Sequence, residues 1–291
     1  IAWERKTEVT VPAPAAGEDG PLSISVFAED VLLTGPGGKY TLAITLERGG
    51  APAGGRLAFY LSEPPRSAQQ VTVAGIQMDP RVTECLAGRG VTVVPLDNTP
   101  ADTRHLILIG DMNDSNTDTA ARTALLERVA RGSVAVFLKP EAFQKGDTPL
   151  GWLPIENKGG LTHFSDWLYH KECVAKKHAF FNGLQSRGVM DWDYYGPIIT
   201  NKFFEGGDIP EDMAAAAFAV CHSSRPDGFA AGVMLGAYSF GAGKIIVNTF
   251  NILDNIDRHP AADRMLLNMI EYALTSVELP SAALPVDFAS T

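Results

Sequence analysis

Residues 70–96 read QVTVAGIQMDPRVTECLAGRGVTVVPL, and this stretch decides the fold class. Its two short apolar runs, VTVA and VTVV, have the length and the β-branched composition of buried strands. Between them, residues 79–87 can form a helix, because Asp79 is suited to cap it and Pro80 to begin it. A strand, a helix and a second strand in this order predict a parallel pair joined by a crossover connection.

The same alternation continues along the chain. Strands are predicted at residues 106–109 and 134–138, with a helix at residues 119–131 between them. We therefore predict an α/β domain with a flavodoxin-like three-layer parallel sheet and helices on both faces. Further strands joined by glycine-containing turns are predicted at residues 218–220, 231–238 and 244–247, and a last helix near Pro260.

The first 66 residues have a different pattern. Two runs, residues 22–27 and 40–46, alternate apolar and polar residues, which is typical of strands with one buried face, and residues 56–61 form a third short run. The breaks between them are rich in Gly and Pro, as turns are. We predict a small all-β, sandwich-like module at residues 1–66, an α/β domain at residues 67–278 and a tail at residues 279–291. Within the α/β domain, the aromatic-rich residues 140–210 are expected to form long loops with short elements, lying over the sheet.

Composition and charge exclude several classes of protein. The chain has 291 residues, 24 of them basic and 34 acidic, and its net charge of −10 argues against general nucleic-acid binding. No apolar run reaches the ~18 residues of a membrane helix. The cysteines Cys85, Cys173 and Cys221 are too few and too scattered for a disulfide framework or a zinc site. We expect no cofactor and neither nucleic acid nor membrane as a partner.

The position after the fourth strand of the α/β domain is the place to look for a nucleophile. Residues 139–143 read KPEAF there, without the Ser or Cys of a nucleophile elbow. Glu141 is the one catalytic candidate, and a cap or a salt-bridge partner is the commoner role of such a residue. The stretch GAGK at residues 241–244 resembles part of a phosphate loop, but Ile245 follows it, so a hairpin turn is predicted.

Acidic residues after the third strand are the candidates for a cation site. Asp111 and Asp114 lie where strands of such a sheet end, which is where ligands bind in these folds. A solvated loop leading to a helix cap explains the same residues, and no EF-hand spacing is present.

An aromatic and acidic run suggests carbohydrate contact. Residues 190–197 read MDWDYYGP. Aromatic rings stack on the C–H faces of sugars, while carboxylates accept hydrogen bonds from hydroxyl groups. The candidate carbohydrate-binding residues are Trp167, Tyr169, Asp191, Trp192, Asp193, Tyr194 and Tyr195. Alternatively, these rings fill the layer between the loops and the sheet.

Four stretches of the α/β domain carry a resemblance to a known family. They are LILIGD at residues 106–111, RGSVAVFL at 131–138, HAFFNGL at 178–184, and GAGKIIVNTF at 241–250 leading into 260–268. Together they resemble the class I glutamine amidotransferase-like fold, in its branch of trehalose-utilisation-type proteins and β-galactosidase trimerisation domains. The resemblance covers the last three quarters of the chain. The ending looks like the carboxyl-terminal region of family 2 β-galactosidase-like glycoside hydrolases.

The chain departs from the amidotransferases at their catalytic residues. The elbow cysteine and the late His-x-Glu pair of the amidotransferases are missing, so a glutamine amidotransferase is not expected. A start at Ile1, without Met, leads us to expect the carboxyl-terminal piece of a longer glycosidase whose catalytic centre lies elsewhere. The parent, if secreted, would be periplasmic or extracellular.

The expected function is therefore that of a non-catalytic ancillary domain of a carbohydrate-active enzyme. It would serve domain packing, oligomerisation or sugar contact, with sibling domains, carbohydrate or a second copy of the chain as partners. A self-standing sugar-processing enzyme of the trehalose-utilisation type and a plain carbohydrate-binding protein are the alternatives.

Overall fold

A two-stranded antiparallel sheet lies in the amino-terminal part of the chain. β1 (Gly38–Ile44) pairs with β2 (Gly55–Leu61), close to two of the predicted runs. The chain folds into two compact units, Ile1–Glu63 and Pro64–Thr291. The structure is a computed structural model, and it describes residues 2–21, 23–47, 54–62, 65, 67, 69–113, 115, 117–164, 171–220, 228–277, 279–285 and 288.

The predicted strand at residues 22–27 is not found. Residue 22 lies outside the described part, and residues 23–27 have no strand structure. A strand needs a neighbour to pair its backbone groups, and alternation of residue types alone does not supply one. Since the described residues of this unit form one sheet of two strands, the sandwich-like module stays a prediction. The domain boundaries at residues 66 and 278 stay predictions too.

The second unit begins with the predicted alternation of strands and helices. Its first elements are β3 (Val71–Ile76), α1 (Pro80–Gly88), β4 (Val91–Pro95), β5 (Leu106–Ile109), α2 (Thr119–Ala130) and β6 (Val134–Phe137). Asp79 caps α1, accepting a hydrogen bond of 2.8 Å from the backbone N–H of Arg81. Asp118 caps α2 in the same way at the N–H of Ala121. Both helices therefore begin where the sequence signals predict.

The aromatic-rich middle of the chain has the predicted short elements, but they do not all lie over the sheet. Several of its segments are strands of the sheet itself. The elements that complete the unit are β7 (Gly160–His163), β8 (Lys171–Ala175), β9 (Gly188–Val189), α3 (Trp192–Tyr195), β10 (Lys202–Glu205), β11 (Asp212–Val220), β12 (Phe229–Phe240), β13 (Gly243–Asn248), α4 (Ile252–Asn255) and α5 (Pro260–Leu274). The strands among residues 140–210 have two to five residues, too few for a clear period, and they pair with distant partners.

The large sheet is mixed rather than parallel throughout. Its strand order is β4-β3-β5-β6-β13-β12-β11-β8-β9, with β10 paired to β12 and β7. The first five strands of this order are parallel, as predicted, and the strands from β12 onward are antiparallel. The prediction of a parallel sheet is wrong for that second half. A two-residue turn at Gly241 and Ala242 joins β12 to β13, and so short a connection can join only antiparallel neighbours.

The core of the second unit lies against the central strands. On one side, α2 places Leu125 and Val129 against Ile107 and Phe137 of the sheet, all at most 2% exposed. Each such side chain contributes about 1.5–3 kcal/mol by its burial. α5 also contacts β5 and β6, and its apolar stripe is buried.

In the described part of the chain, no helix combines the length and the apolar character that crossing a membrane requires. The protein is thus a mixed α/β protein built on one large mixed sheet.

Candidate functional site

The strand order indicates where a ligand would bind. Among the parallel strands, β3 comes first in the chain, with β4 on one side and β5, β6 and β13 on the other. The chain therefore changes direction across the sheet between β3 and β5. Open α/β sheets hold ligands outside the carboxyl ends of their strands at such a point. The segments that follow β3, β5, β6 and β13 form the candidate site, which we call the carboxyl edge.

The backbone between β3 and β5 is tightly packed at this edge. Gln77 directly follows β3 with a φ of 48°, a left-handed conformation that is uncommon for residues other than glycine. Its carbonyl oxygen accepts a hydrogen bond of 3.0 Å from the N–H of Asp111. A Cβ at Gly110 would lie only 2.4 Å from the same oxygen. The Gln77 side chain donates to Oγ1 of Thr117 at 3.0 Å, so both the backbone and the side chain of this residue are held.

Two ion pairs hold the candidate carboxylates of the carboxyl edge. Nζ of Lys139 lies 3.1 Å from Oδ1 of Asp111, and Lys202 pairs with Glu141, which lies in a 3₁₀ turn after β6. Asp111 is largely exposed, and exposed pairs add about 0–1 kcal/mol to stability. What matters for the candidate site is that each of the two carboxylates already has a cationic partner. Glu141 thus forms an ion pair in this structure, and its catalytic role stays a prediction. Lys139 and Lys202 were not predicted as site residues.

A fully buried asparagine connects two segments of the edge. Nδ2 of Asn248, the last residue of β13, donates to the carbonyl oxygens of Leu138 and Phe250 at 3.0 and 2.9 Å. Oδ1 accepts from the N–H of Phe250 at 3.0 Å. The side chain therefore satisfies three backbone groups that have left the sheet. Sequence reasoning missed Asn248, because nothing local distinguishes it from an exposed polar residue at a strand end.

The aromatic run contains a short helix, α3, with two buried tyrosines. Asp191 caps α3, accepting a hydrogen bond of 2.9 Å from the N–H of Asp193. Tyr195 is 0% exposed and donates its hydroxyl hydrogen to the carbonyl of Gln185. Tyr194 is also buried and packs edge-on against Tyr195, with 4.8 Å between ring centroids. The two tyrosines therefore fill the interior, and a sugar could not stack on them unless this segment opened.

Trp192 differs from these tyrosines, because its side chain is exposed. It is 48% exposed on α3. The chain after α3 is fixed to the carboxyl edge by two hydrogen bonds. The N–H of Asn251 donates to the carbonyl of Ile198 at 2.8 Å, and Oγ1 of Thr200 donates to the carbonyl of Thr249 at 2.7 Å. Trp192 thus lies on a segment that is anchored next to the end of β13.

The remaining predicted site residues lie outside the described part of the chain. These are Asp114, Trp167 and Tyr169. The proposed cation site at Asp111 is consequently described for one of its two residues, and that residue pairs with Lys139. Over the residues that the structure describes, no three His, Cys, Asp or Glu side chains are arranged to hold a metal ion.

A second polar cluster lies at the opposite edge of the sheet. Asp212, at the start of β11, accepts hydrogen bonds from Nε2 of His178 at 2.9 Å and from the hydroxyl of Tyr272 at 2.7 Å. Nδ1 of His178 accepts from the N–H of Phe180, which assigns the proton to Nε2. Lys244, whose Nζ is 3.3 Å from the Tyr272 hydroxyl, lies beside the start of β6. Because both ring nitrogens of His178 are engaged, this cluster ties segments together rather than offering a base.

The hydrogen bonds of this cluster shift two pKa values. Burial alone would raise the pKa of Asp212, but the hydrogen bonds from Tyr272 and His178 outweigh it and hold that pKa below its usual 3.8. Burial and the bond to Asp212 raise the pKa of Tyr272. The ionised carboxylate of Asp212 is therefore favoured by folding. Its contribution to stability is present above pH 3.8 and is lost as the pH falls through the lower pKa of the folded state.

We expect Asp212→Asn to lower the free energy of unfolding by about 1 kcal/mol at pH 7, since the single acceptor oxygen of an amide cannot take the place of both Oδ1 and Oδ2. The loss is kept small by the 39% exposure of the Asp212 side chain. Urea unfolding at pH 7 and pH 3 measures it, and the difference from the wild type should narrow at pH 3. The exposed Asp97→Asn is the control. A difference that stays constant with pH would contradict the assignment.

Comparisons with known proteins give only distant similarities. No protein-family model matches the chain, and no curated protein does. Among solved structures, it is similar to a cytoplasmic protein from Salmonella typhimurium, with 10% identity over 84% of this chain and 97% of that one and a TM-score of 0.39.

Two further solved structures are similar at the same distance. An exo-β-1,4-mannosidase from Opitutaceae bacterium strain TAV5 has 12% identity over 74% of this chain, with a TM-score of 0.37. The match spans 37% of the mannosidase chain. A ThuA-like protein from Parabacteroides merdae has 14% identity over 77% of this chain and 94% of that one, with a TM-score of 0.34. No residue role or activity is transferred from these structures.

Proposed function

We propose that this chain is a non-catalytic, carbohydrate-binding ancillary domain, with Trp192 as the centre of its sugar contact. The observation that carries the proposal is the exposure of Trp192, at 48%, between Asp191 and Asp193 on α3. An exposed indole offers an apolar face to the C–H face of a sugar ring, and carboxylates beside it are acceptors for hydroxyl groups. This combination suits a neutral, polyhydroxylated ligand.

The buried neighbours of Trp192 support a preformed binding surface. The buried side chains of Tyr194 and Tyr195 anchor α3 in the interior. The hydrogen bond from the N–H of Asn251 to the carbonyl of Ile198 anchors the chain after it. A ring on a held segment loses little conformational freedom when a ligand binds, and this favours affinity.

The candidate carboxylates support the non-catalytic part of the proposal. Glycoside hydrolysis commonly needs two carboxyl groups on either side of the scissile bond. At the carboxyl edge, Glu141 is paired with Lys202 and Asp111 with Lys139. The elbow position after β6 offers no Ser or Cys nucleophile.

As an ancillary domain, the chain would belong to a larger glycoside hydrolase of the β-galactosidase-like type and would pack on sibling domains or on a second copy of itself. The flavodoxin-like, three-layer arrangement is part of the same proposal. It is supported by the packing of α2 against the core side of the central strands and by the contact of α5 with β5 and β6.

A self-standing sugar-processing enzyme of the trehalose-utilisation type is the second candidate. It is favoured by the place of Glu141, which follows a central parallel strand at the edge where α/β enzymes carry catalytic groups. Such an enzyme would have to separate Glu141 from Lys202, or use the two side chains together.

Replacing Trp192 with alanine tests the sugar contact. Calorimetric titration with galacto-, manno- and gluco-oligosaccharides should show binding by the wild type, and Trp192→Ala should weaken it at least about tenfold, the effect of losing 1.4 kcal/mol. Phe229→Ala is the matched control, because Phe229 is an aromatic residue of similar exposure, 54%, on β12. An isotherm that Trp192→Ala leaves unchanged would remove the support for this binding surface.

Turnover assays test the non-catalytic part. We expect no hydrolysis of aryl-glycosides or oligosaccharides by the purified chain. Hydrolysis that is abolished in Glu141→Gln, with the fold intact by circular dichroism, would favour the enzyme instead.

A further inference from the structure

Two basic side chains lie over one indole near the carboxyl edge, and a third binds the backbone carbonyl beside that indole. The guanidinium carbon of Arg122 lies 5.3 Å from the ring centroid of Trp152, and Nζ of Lys145 lies 4.5 Å from it. Nζ of Lys158 donates a hydrogen bond of 2.9 Å to the carbonyl of Gly151, the neighbour of Trp152. We call Arg122, Lys145, Trp152 and Lys158 the Trp152 cation cluster.

The cluster adjoins the turn that carries Glu141. Arg122, on α2, is 2% exposed and donates a hydrogen bond of 2.6 Å to the carbonyl of Ala142. The N–H of Trp152 donates to the carbonyl of Phe143 at 2.9 Å. Two residues of the turn after β6 are therefore bonded directly to the cluster, which places its positive charge beside the candidate site.

The positive charge of the two lysines is not balanced nearby. Over the part of the chain that the structure describes, neither Lys145 nor Lys158 has a carboxylate within ion-pair distance. Burial, and then the charge of Lys145, lower the pKa of Lys158. The chain has a net charge of −10, yet here two positive charges lie close together. Their mutual repulsion costs free energy, which a bound anion would offset.

We infer that the Trp152 cation cluster is a binding subsite for an oxyanion, namely the carboxylate, phosphate or sulfate group of a ligand that reaches the carboxyl edge. Lysine ammonium groups are compact charges with three donors each, and they suit such oxygens without a fixed geometry. The half-buried Trp152 ring holds Arg122 and Lys145 in place and gives the ligand an apolar contact. The inference goes beyond the sugar contact at Trp192, and neither depends on the other.

Titration with small anions tests the subsite directly. Inorganic phosphate, inorganic sulfate and glucuronate are the probes, glucose is the neutral control, and NMR shifts of the Trp152 indole N–H give the readout. Saturable binding of at least one anion is expected, with none of glucose at the same resonance. Added NaCl should weaken the binding. The probe that binds tightest, among glucuronate, phosphate and sulfate, identifies whether the subsite prefers a carboxylate, a phosphate or a sulfate group.

Charge-removing variants separate the subsite from general attraction. Lys145→Gln and Lys158→Gln should each weaken the tightest anion about tenfold, and Lys177→Gln, at an exposed lysine elsewhere, should leave it within about twofold. Absence of saturable binding, or equal effects of all three variants, would overturn the inference.

Discussion

Gly243→Ala should lower the free energy of unfolding by about 3 kcal/mol, close to the upper range for overpacking. A Cβ at this position would lie 2.1 Å from the carbonyl oxygens of Ser133 and Val129. Both are backbone atoms, which cannot turn aside as a flexible side chain can. The methyl group would therefore push the β12–β13 hairpin away from the end of α2. Urea unfolding followed by circular dichroism measures the change.

Gly88→Ala is the matched control for this substitution. A Cβ at Gly88, the last residue of α1, meets nothing within 4 Å, so alanine should be neutral or stabilising by up to about 1 kcal/mol. Similar stability of Gly243→Ala and Gly88→Ala would contradict the close packing. The result also bears on the GAGK stretch, because the structure explains Gly243 by close packing and places Gly241, with a φ of 58°, in the hairpin turn.

Asn248→Leu should also cost about 3 kcal/mol. Leucine has a similar volume but leaves the carbonyls of Leu138 and Phe250 and the N–H of Phe250 without their partner, and each unsatisfied buried group costs about 1–3 kcal/mol. Some of the loss is recovered by the apolar contacts of the new side chain. The ends of β6 and β13 would then be less firmly held, which also exposes the carboxyl edge to local opening.

Two measurements check this substitution. Urea unfolding gives the free energy, and hydrogen exchange of the Phe250 amide should accelerate in the variant relative to the amides of β5. Asn201→Leu, at an exposed asparagine before β10, should change stability by less than about 0.5 kcal/mol. If Asn248→Leu proved no more harmful than Asn201→Leu, the three hydrogen bonds would not hold this edge together.

The elements that the sequence predicts best are those with local signals. α1 begins after Asp79 and α2 after Asp118, because a cap and a following apolar stripe are both read within one or two turns. β5 has the predicted bounds, since an apolar run of four residues between polar segments can only be a buried strand or a short piece of buried helix.

The elements it predicts poorly depend on distant partners. β10 pairs with β7 some forty residues earlier and with β12 thirty residues later, and neither pairing has a local sequence signal. Conversely, the alternating residues 23–27 form no strand. Alternation indicates that a segment can lie half-buried in a sheet, but the sheet must exist elsewhere in the chain for the strand to form.

The candidate site shows the same division. Local sequence marked Glu141 and the segment around Trp192, because chemical type and position in the strand–helix order are visible there. It did not distinguish Trp192, which is 48% exposed, from Tyr195, which is 0% exposed on the same short helix. Nor did it find Lys202 as the partner of Glu141.

Composition and local pattern were enough to establish a mixed α/β protein of acidic charge, with its first helices and parallel strands in place, because caps, turns and short apolar runs act over a few residues. Three features came from the folded chain: the direction of the strands in the second half of the sheet, the left-handed conformation of Gln77, and the grouping of basic side chains at Gly151 and Trp152. Each of these joins residues whose positions relative to one another are set by packing and strand pairing across the whole unit, and no local stretch contains that information.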